Sequence, residues 1–239
     1  MRHIEHVMGT AVTIDLPDDT PIELLVDAIE RLHSIEDRFS VFRPESQISR
    51  IGRGALSIDA ADSDVQSVLA TCGELYVSTL GAFSHWQGGR DRPLDPNGYV
   101  KGWAVDRVGQ LFNEAGVHRY FINAGGDTLA YSESDPWRIG VRHPTIGEAL
   151  GAVLESNNLA VATSGSYERG PHIWGVEERQ LTSVTVTGPQ LGIADAIATA
   201  LCSIDQSNPE WLRNFPGYEV LTFDRDDGRH RTEHFVLRS

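Results

Sequence analysis

Apolar residues recur every three or four positions in four parts of the chain, which predicts four helices. These stretches are residues 25–39, 65–76, 101–115 and 193–204. We expect the first helix to start with Thr20 as its N-cap and Glu23 completing a capping box, and to be ended by Pro44. We expect the third helix to open at Lys101 and to end at Gly116.

Short segments rich in β-branched and aromatic residues predict strands between and after these helices. The predicted strands are residues 9–16, 117–123, 137–141, 158–163, 182–187, 218–224 and 232–237, with a hairpin turn at 225–228. Helices and strands interleave irregularly, and several strands cluster late in the chain. We therefore expect an α+β fold with two sheet-containing lobes and a ligand cleft between them. Residues 1–239 are predicted to form a single domain of these closely packed lobes.

Composition narrows the classes of partner. The chain is 40% apolar and 23% charged, as is usual for a soluble globular protein. Its net charge of -14 argues against binding to nucleic acid or to an anionic membrane surface. We found no apolar run long enough to span a membrane, no signal-peptide core and no lipidation cysteine, so we expect no membrane insertion and a cytoplasmic location. Cys72 and Cys202 lie in apolar helical patterns and are expected to be buried free thiols.

Asp195 and Thr199 are the first candidate site. They lie four residues apart in an otherwise apolar helix, so both side chains project from one face. A carboxylate in the wall of a core needs a partner, and a hard cation such as magnesium would suit both oxygens. The alternative is that Asp195 caps the helix and Thr199 bonds back to a carbonyl of the preceding turn.

Residues 95–106 are the second candidate. A glycine-rich approach leads here into an amphipathic helix with Lys101 at its predicted start. Helix N–H groups and a lysine could hold a diphosphate, and exposed carbonyls before the helix could supply a further metal oxygen. The alternative is a simple turn before a helix.

Together these segments resemble the ApbE family of FAD:protein FMN transferases. Eight segments carry the resemblance, in family order: residues 8–10, 42–50, 81–83, 95–106, 122–127, 137–141, 162–167 and 183–199. It implies a magnesium-dependent enzyme that cleaves the diphosphate of FAD and releases AMP. The FMN would be attached to a threonine or serine of a target flavoprotein that carries a short Asp-Gly-x-Thr-type motif.

The resemblance also implies roles for individual residues. Asp195 and Thr199 would bind magnesium by their side chains, and the backbone carbonyl near Gly98 would be a third ligand. Lys101 would face an FAD phosphate. The remaining FAD contacts implied by the resemblance are Met8, Ala82, Phe83, Ser84, Asp95, Thr163, Ser164 and Gly165. The loop at residues 123–127 would form part of the pocket.

His172 falls where the family has a histidine associated with the transfer step. A neutral imidazole can accept the proton of an attacking hydroxyl near neutral pH. The family usually continues His-Ile-x-Asp-Pro-x-Thr-Gly, but residues 172–180 contain neither the Asp-Pro nor the Thr-Gly step. Two alternatives therefore stay open: an FAD pyrophosphatase that yields FMN and AMP, and a non-catalytic FAD-binding protein. The sequence does not identify the acceptor protein.

Overall fold

A computed structural model describes residues 1–86, 93–165 and 180–235 of the chain. Within these residues the helices are α1 (Ile22–Phe39), α2 (Gln47–Gly52), α3 (Ser63–Ser78), α4 (Asn97–Glu114) and α5 (Leu191–Ile204). Two short 3-10 helices lie at Ile58–Ala60 and Glu210–Asn214. Among the described residues, no helix has the length and apolar character needed to cross a membrane.

The strands form two antiparallel sheets. They are β1 (Arg2–Val7), β2 (Thr10–Asp15), β3 (Arg119–Ala124), β4 (Asp127–Ser132), β5 (Trp137–Arg142), β6 (Leu150–Ser156), β7 (Asn158–Gly165), β8 (Leu181–Gly188), β9 (Glu219–Asp224) and β10 (Arg229–Arg231). Eight of them make one sheet in the order β1-β2-β3-β4-β7-β8-β9-β10, and β5 pairs with β6 separately. The prediction of an α+β fold with two sheets is confirmed.

The helices and the small sheet cover opposite faces of the large sheet. Alternate side chains of a strand point to opposite faces, and in β4 Leu129 joins the core with α1, α4 and α5. Its neighbour Ala130 instead joins a second core with the β5–β6 hairpin and with Phe223 of β9. Helix α5 lies against α4 and against β7 and β8, which explains why it is buried on nearly all sides.

Several predicted boundaries are wrong for identifiable reasons. Helix α1 begins at Ile22 without a side-chain capping bond, so the capping box of Thr20 and Glu23 does not form. It ends at Phe39, where the chain becomes extended well before Pro44. Strand β10 covers only Arg229–Arg231, whereas we predicted residues 232–237, of which 236 and 237 lie outside the described residues.

The sequence analysis also missed one α-helix, three strands and both 3-10 helices. The α-helix is α2, and the strands are β1, β4 and β6. Both cysteines are buried thiols outside any disulfide, as predicted. Burial also raises the pKa of the Cys72 thiol to about 12, so this thiol stays protonated and unreactive near neutral pH.

Glycines at the crossing of α4 and α5 let the two backbones approach closely. A Cβ atom added at Gly102 would lie 2.5 Å from the carbonyl oxygen of Leu191. One added at Gly192 would lie 3.0 Å from the backbone nitrogen of Trp103. These backbone atoms cannot move aside by changing a rotamer, and a Cβ atom at Gly192 would also lie 2.9 Å from the Tyr99 ring. The crossing therefore depends on glycine at both positions.

We expect Gly102→Ala to lower the free energy of unfolding by about 1 to 3 kcal/mol, because α4 and α5 must separate to admit the methyl group. Urea denaturation followed by circular dichroism measures this loss. Gly73→Ala is the matched control: Gly73 also lies inside a helix, but a Cβ atom there meets nothing within 4 Å. The control should be stabilised by roughly 0.5 to 1 kcal/mol. Equal effects of the two substitutions would contradict the close crossing.

Candidate functional site

The residues predicted to bind a metal are close together at the α4–α5 crossing. Asp195 and Thr199 lie one turn apart on α5, with Asp195 buried and Thr199 half-buried. A Cβ atom added at Gly98 of α4 would lie 3.3 Å from the Thr199 hydroxyl oxygen. The four-residue spacing thus gives the shared helix face that we predicted, and Gly98 borders it.

Lys101 links this face to a second carboxylate. Its ammonium Nζ lies 3.4 Å from Oδ2 of Asp195 and makes a closer ion pair with Oδ2 of Asp127. We call Lys101, Asp127 and Asp195 the ion cluster. Both carboxylates are buried, and the lysine side chain is only 18% exposed. Charges in such a position need partners, and the cluster supplies two negative charges for one positive charge.

Asp127 is the main residue that the sequence analysis missed. It begins β4 directly after the turn at Gly125 and Gly126, whose φ angles of 61° and 97° favour glycine. Its Oδ1 accepts a 2.9 Å hydrogen bond from the backbone N–H of Thr163 in β7. This bond fixes the carboxylate so that Oδ2 faces Lys101. We had predicted the turn as a pocket loop, but gave its aspartate no role.

The entrance to α4 differs from the prediction. The helix begins at Asn97, one turn before Lys101, so Lys101 does not open it. Gly98 is inside the first turn and not before it, and its carbonyl is therefore not among the free carbonyls that precede a helix. A carbonyl oxygen has two lone pairs, so a helical carbonyl can still accept a second partner. Asp95 Oδ1 accepts a 3.0 Å hydrogen bond from the N–H of Asn97, two residues further on, and so forms an Asx turn directly before the helix.

The predicted flavin contacts before α4 lie in two places. Met8 is half-buried in the β1–β2 turn with a φ of 54°, and its N–H donates to Glu36 of α1. Phe83 is buried, and a Cβ atom added at Gly98 would lie 3.3 Å from its ring. Its neighbour Ala82 accepts a hydrogen bond from Ser203 of α5, so this segment borders the α4–α5 crossing.

The remaining predicted contacts differ in exposure and in their bonds. Ser84 is exposed and bonds to the backbone of Trp86. Thr163 is half-buried and shares a 3.0 Å hydrogen bond with the hydroxyl of Thr185 in β8. Ser164 accepts a bond from the Cys202 thiol at its backbone oxygen, and Gly165 ends β7. Of these predicted contacts, Thr163 hydrogen-bonds directly to the ion cluster, through its backbone N–H. The described parts of the chain show no such bond from the others. His172 lies outside the described residues.

Oxygen donors at the α4–α5 crossing fit a hard divalent cation. Two buried carboxylates lie beside the Lys101 ammonium, and a threonine hydroxyl lies on the same helix face as Asp195. Magnesium prefers oxygen ligands and is usually bound by one or two carboxylates together with substrate phosphates. Among the described residues, no group of three or more His, Cys, Asp or Glu side chains could hold a metal ion. A metal here would thus need the hydroxyl, the carbonyl or a phosphate as further ligands.

Asp106 of α4 caps the start of α5 next to this site. Its two carboxylate oxygens accept hydrogen bonds of 2.8 and 2.9 Å from the N–H groups of Leu191 and Gly192. Burial raises the pKa of Asp106 to about 6, and the two N–H donors oppose that rise. This second missed residue positions α5, and therefore Asp195, relative to α4.

A raised pKa means that the folded protein holds the Asp106 proton more tightly than the unfolded chain does. The resulting stabilisation is present below about pH 4 and is lost as the pH rises through about 6. We therefore expect wild type to gain roughly 1 to 3 kcal/mol relative to Asp106→Asn when the pH falls from 7 to 4. Urea denaturation at both values measures this. Asp62→Asn, at the start of α3, reports the effect of removing one negative charge alone. A stability difference independent of pH would contradict the shifted pKa.

Fold and site together define an α+β protein with a buried cluster of two carboxylates and a lysine at a helix crossing. The sequence model of the ApbE family matches residues 8–89 and 86–222 of the chain. An FAD:protein FMN transferase of Escherichia coli K12 is 33% identical over 246 residues, which cover 95% of this chain and 66% of that protein. A protein of the same name from Rhodobacter capsulatus is 30% identical over 149 residues, or 56% of this chain and 28% of the relative.

Solved structures agree with this assignment. The ApbE protein of Thermotoga maritima matches with a TM-score of 0.78 at 21% identity, over 98% of this chain and 97% of the other. The flavin transferase ApbE of Vibrio cholerae matches with a TM-score of 0.76 at 21% identity, over 100% and 97% of the two chains. At such identities these structures support the fold. The chain belongs to the ApbE family, as its motifs predicted. It spans 66% of the length of the Escherichia coli relative and 28% of the length of the Rhodobacter capsulatus relative.

Proposed function

We propose that the protein transfers FMN from FAD to a threonine or serine hydroxyl of a target flavoprotein and releases AMP. The observation that carries the proposal is the ion cluster, which has Thr199 and Gly98 beside it in a chain of this family. Two relatives bear the name FAD:protein FMN transferase, which supports the same reaction here. Phosphoryl transfer depends mainly on positioning and on charge neutralisation, which Lys101 and a metal ion held at Asp195 would supply together.

In the proposed reaction the acceptor oxygen forms a bond to the phosphorus of the FMN half of FAD. The bond from that phosphorus to the bridging oxygen breaks, AMP leaves with that oxygen, and the hydroxyl proton passes to a base. Lys101 would hold the diphosphate by charge, and His172 would accept the proton. Asp195, Thr199 and the Gly98 carbonyl would hold magnesium, which supplies neutralisation of the phosphate oxygens when bound.

The alternatives differ in what replaces the acceptor. If water attacks in place of the hydroxyl, the products are FMN and AMP, and the protein is a pyrophosphatase. The Asp-Pro and Thr-Gly dipeptides that usually follow the histidine in this family are absent after His172. A loop that no longer positions an acceptor need not lose nucleotide affinity, and for this reason the pyrophosphatase stays a candidate. A non-catalytic FAD-binding protein would carry out neither reaction.

One assay separates the three functions. The protein is incubated with FAD and magnesium, with and without a flavoprotein that carries an Asp-Gly-x-Thr motif. Chromatography measures AMP, and intact-mass spectrometry measures FMN attached to the acceptor. We expect AMP and labelled acceptor in equal amounts, and no label on an acceptor whose threonine is changed to alanine. AMP without label would indicate the pyrophosphatase. Bound FAD without AMP would indicate the binding protein, and either result would overturn the transferase.

A further inference from the structure

The ion cluster already contains a cation of its own, the ammonium of Lys101. This group lies between Asp127 and Asp195, which come from β4 and α5 and approach it from different elements. Carboxylate oxygens hold this ammonium, and carboxylate oxygens are also ligands that magnesium prefers. Lysine and a metal ion at Asp195 would therefore compete for one carboxylate and repel each other.

The two carboxylates hold Lys101 differently. Asp127 is 1% exposed, is fixed by the N–H of Thr163 and makes the closer ion pair with the ammonium. Asp195 makes the longer contact, at 3.4 Å, and lies on the same helix face as Thr199. Asp127 can therefore keep the ammonium in the site when Asp195 binds a metal ion instead. Without Asp127, the lysine would have only Asp195 as its partner within the cluster.

We propose that Lys101 is an internal competitor of the metal, and that Asp127 is the residue that positions it. In the nucleotide-free protein the ammonium occupies Asp195 and keeps divalent affinity low. A bound diphosphate draws the ammonium towards its own negative charge and releases Asp195 for the metal. Nucleotide and metal then bind cooperatively, and by linkage each raises the affinity of the other by the same factor. This inference rests on the proposed function, in which Asp195 binds magnesium.

Lys101→Met tests the competition, because methionine keeps a long flexible stem and removes the charge. Mn²⁺ replaces Mg²⁺ as the probe, and electron paramagnetic resonance measures the free ion. We expect the nucleotide-free variant to bind Mn²⁺ about tenfold more tightly than wild type, because two carboxylates then lack their internal cation. Lys101→Arg keeps the charge and should bind Mn²⁺ as weakly as wild type. Asp127→Asn should weaken binding, because the ammonium then pairs with Asp195 alone.

A second titration, with ADP as the diphosphate, measures the coupling. Wild type should bind Mn²⁺ at least tenfold more tightly with ADP than without it, after correction for Mn²⁺ bound by ADP alone. Lys101→Met should lose most of this gain. Circular dichroism checks that the variants fold, and Lys101→Gln replaces Lys101→Met if the latter does not.

Two results overturn the inference in distinguishable ways. If Asp195→Asn abolishes Mn²⁺ binding with ADP but Lys101→Met binds no more tightly than wild type, the metal site is right and the competition is wrong. If Asp195→Asn binds Mn²⁺ as wild type does, the metal assignment in the proposed function fails, and the inference fails with it.

Discussion

Asp195→Asn is expected to abolish magnesium-dependent release of AMP from FAD, a loss of about a thousand-fold or more. Asparagine keeps the size of the side chain but removes the charge that would offset a dication. The change should leave α5 folded, because Asp195 lies in the middle of a helix whose other contacts are mainly apolar. AMP release is measured by chromatography against magnesium concentration, with the folded fraction checked by circular dichroism.

The alternative role of Asp195 predicts a different result. If the carboxylate serves only as the structural partner of Lys101, the substitution would lower the melting temperature while activity per folded molecule survives. Asp15→Asn is a suitable control, because Asp15 is a half-buried aspartate that is also ion-paired, with Arg2 directly opposite it in β1. The control should retain wild-type AMP release. Unchanged magnesium dependence in Asp195→Asn would refute the metal assignment.

The sequence predicted most of the fold where burial follows a regular spacing. Helix α1 buries Leu25, Ala28, Leu32, Ile35 and Phe39, which recur at the predicted spacing of three or four positions. Strand β1 was missed because its pattern is unusual: His3 and Glu5 are half-buried and paired with each other, while Ile4 is 55% exposed. An edge strand with such a pattern carries no apolar alternation, so a rule based on periodicity cannot find it.

The start of α4 could have been found from the sequence. Asp95 followed by Pro96 is a turn-forming pair directly before the first helical residue, and Asp95 does bond to the N–H of Asn97. We instead took the following glycine as part of a loop. Gly98 is favoured for another reason, because an added Cβ atom would lie only 3.3 Å from the side chains of Phe83 and Thr199. That contact joins residues about a hundred positions apart, and local sequence does not show it.

The site could be predicted only in part, because some of its contacts also join residues that are distant in the sequence. Asp195 and Thr199 follow from a four-residue spacing, which is local. Asp127 acquires its role from β4 lying beside β7 and from Lys101 on a helix that crosses above the sheet. Asp106 caps α5 because the N-terminus of that helix, 85 residues further along the chain, lies beside its carboxylate. Both aspartates are visible in the sequence, but only tertiary contacts distinguish them from the other acidic residues.

His172→Ala is the second large effect that we expect, and it separates chemistry from binding. If the imidazole accepts the proton of the attacking hydroxyl, its loss should slow FMN transfer by roughly 100-fold or more. FAD affinity should remain nearly unchanged, because the proposed diphosphate contacts come from Lys101 and the metal ligands. Single-turnover labelling of the acceptor measures the transfer rate, and quenching of flavin fluorescence measures affinity.

The control and the pH dependence make this test specific. His118→Ala removes an exposed histidine that precedes β3, and it should transfer FMN at the wild-type rate. A general base at His172 also predicts that the wild-type rate rises with pH as the imidazole loses its proton, and that this rise disappears in His172→Ala. If the variant keeps both the rate and its pH dependence, another group or solvent accepts the proton. In that case the altered segment after His172 has lost the family's catalytic arrangement, while the ion cluster, which lies on α4, α5 and β4, would still bind the nucleotide.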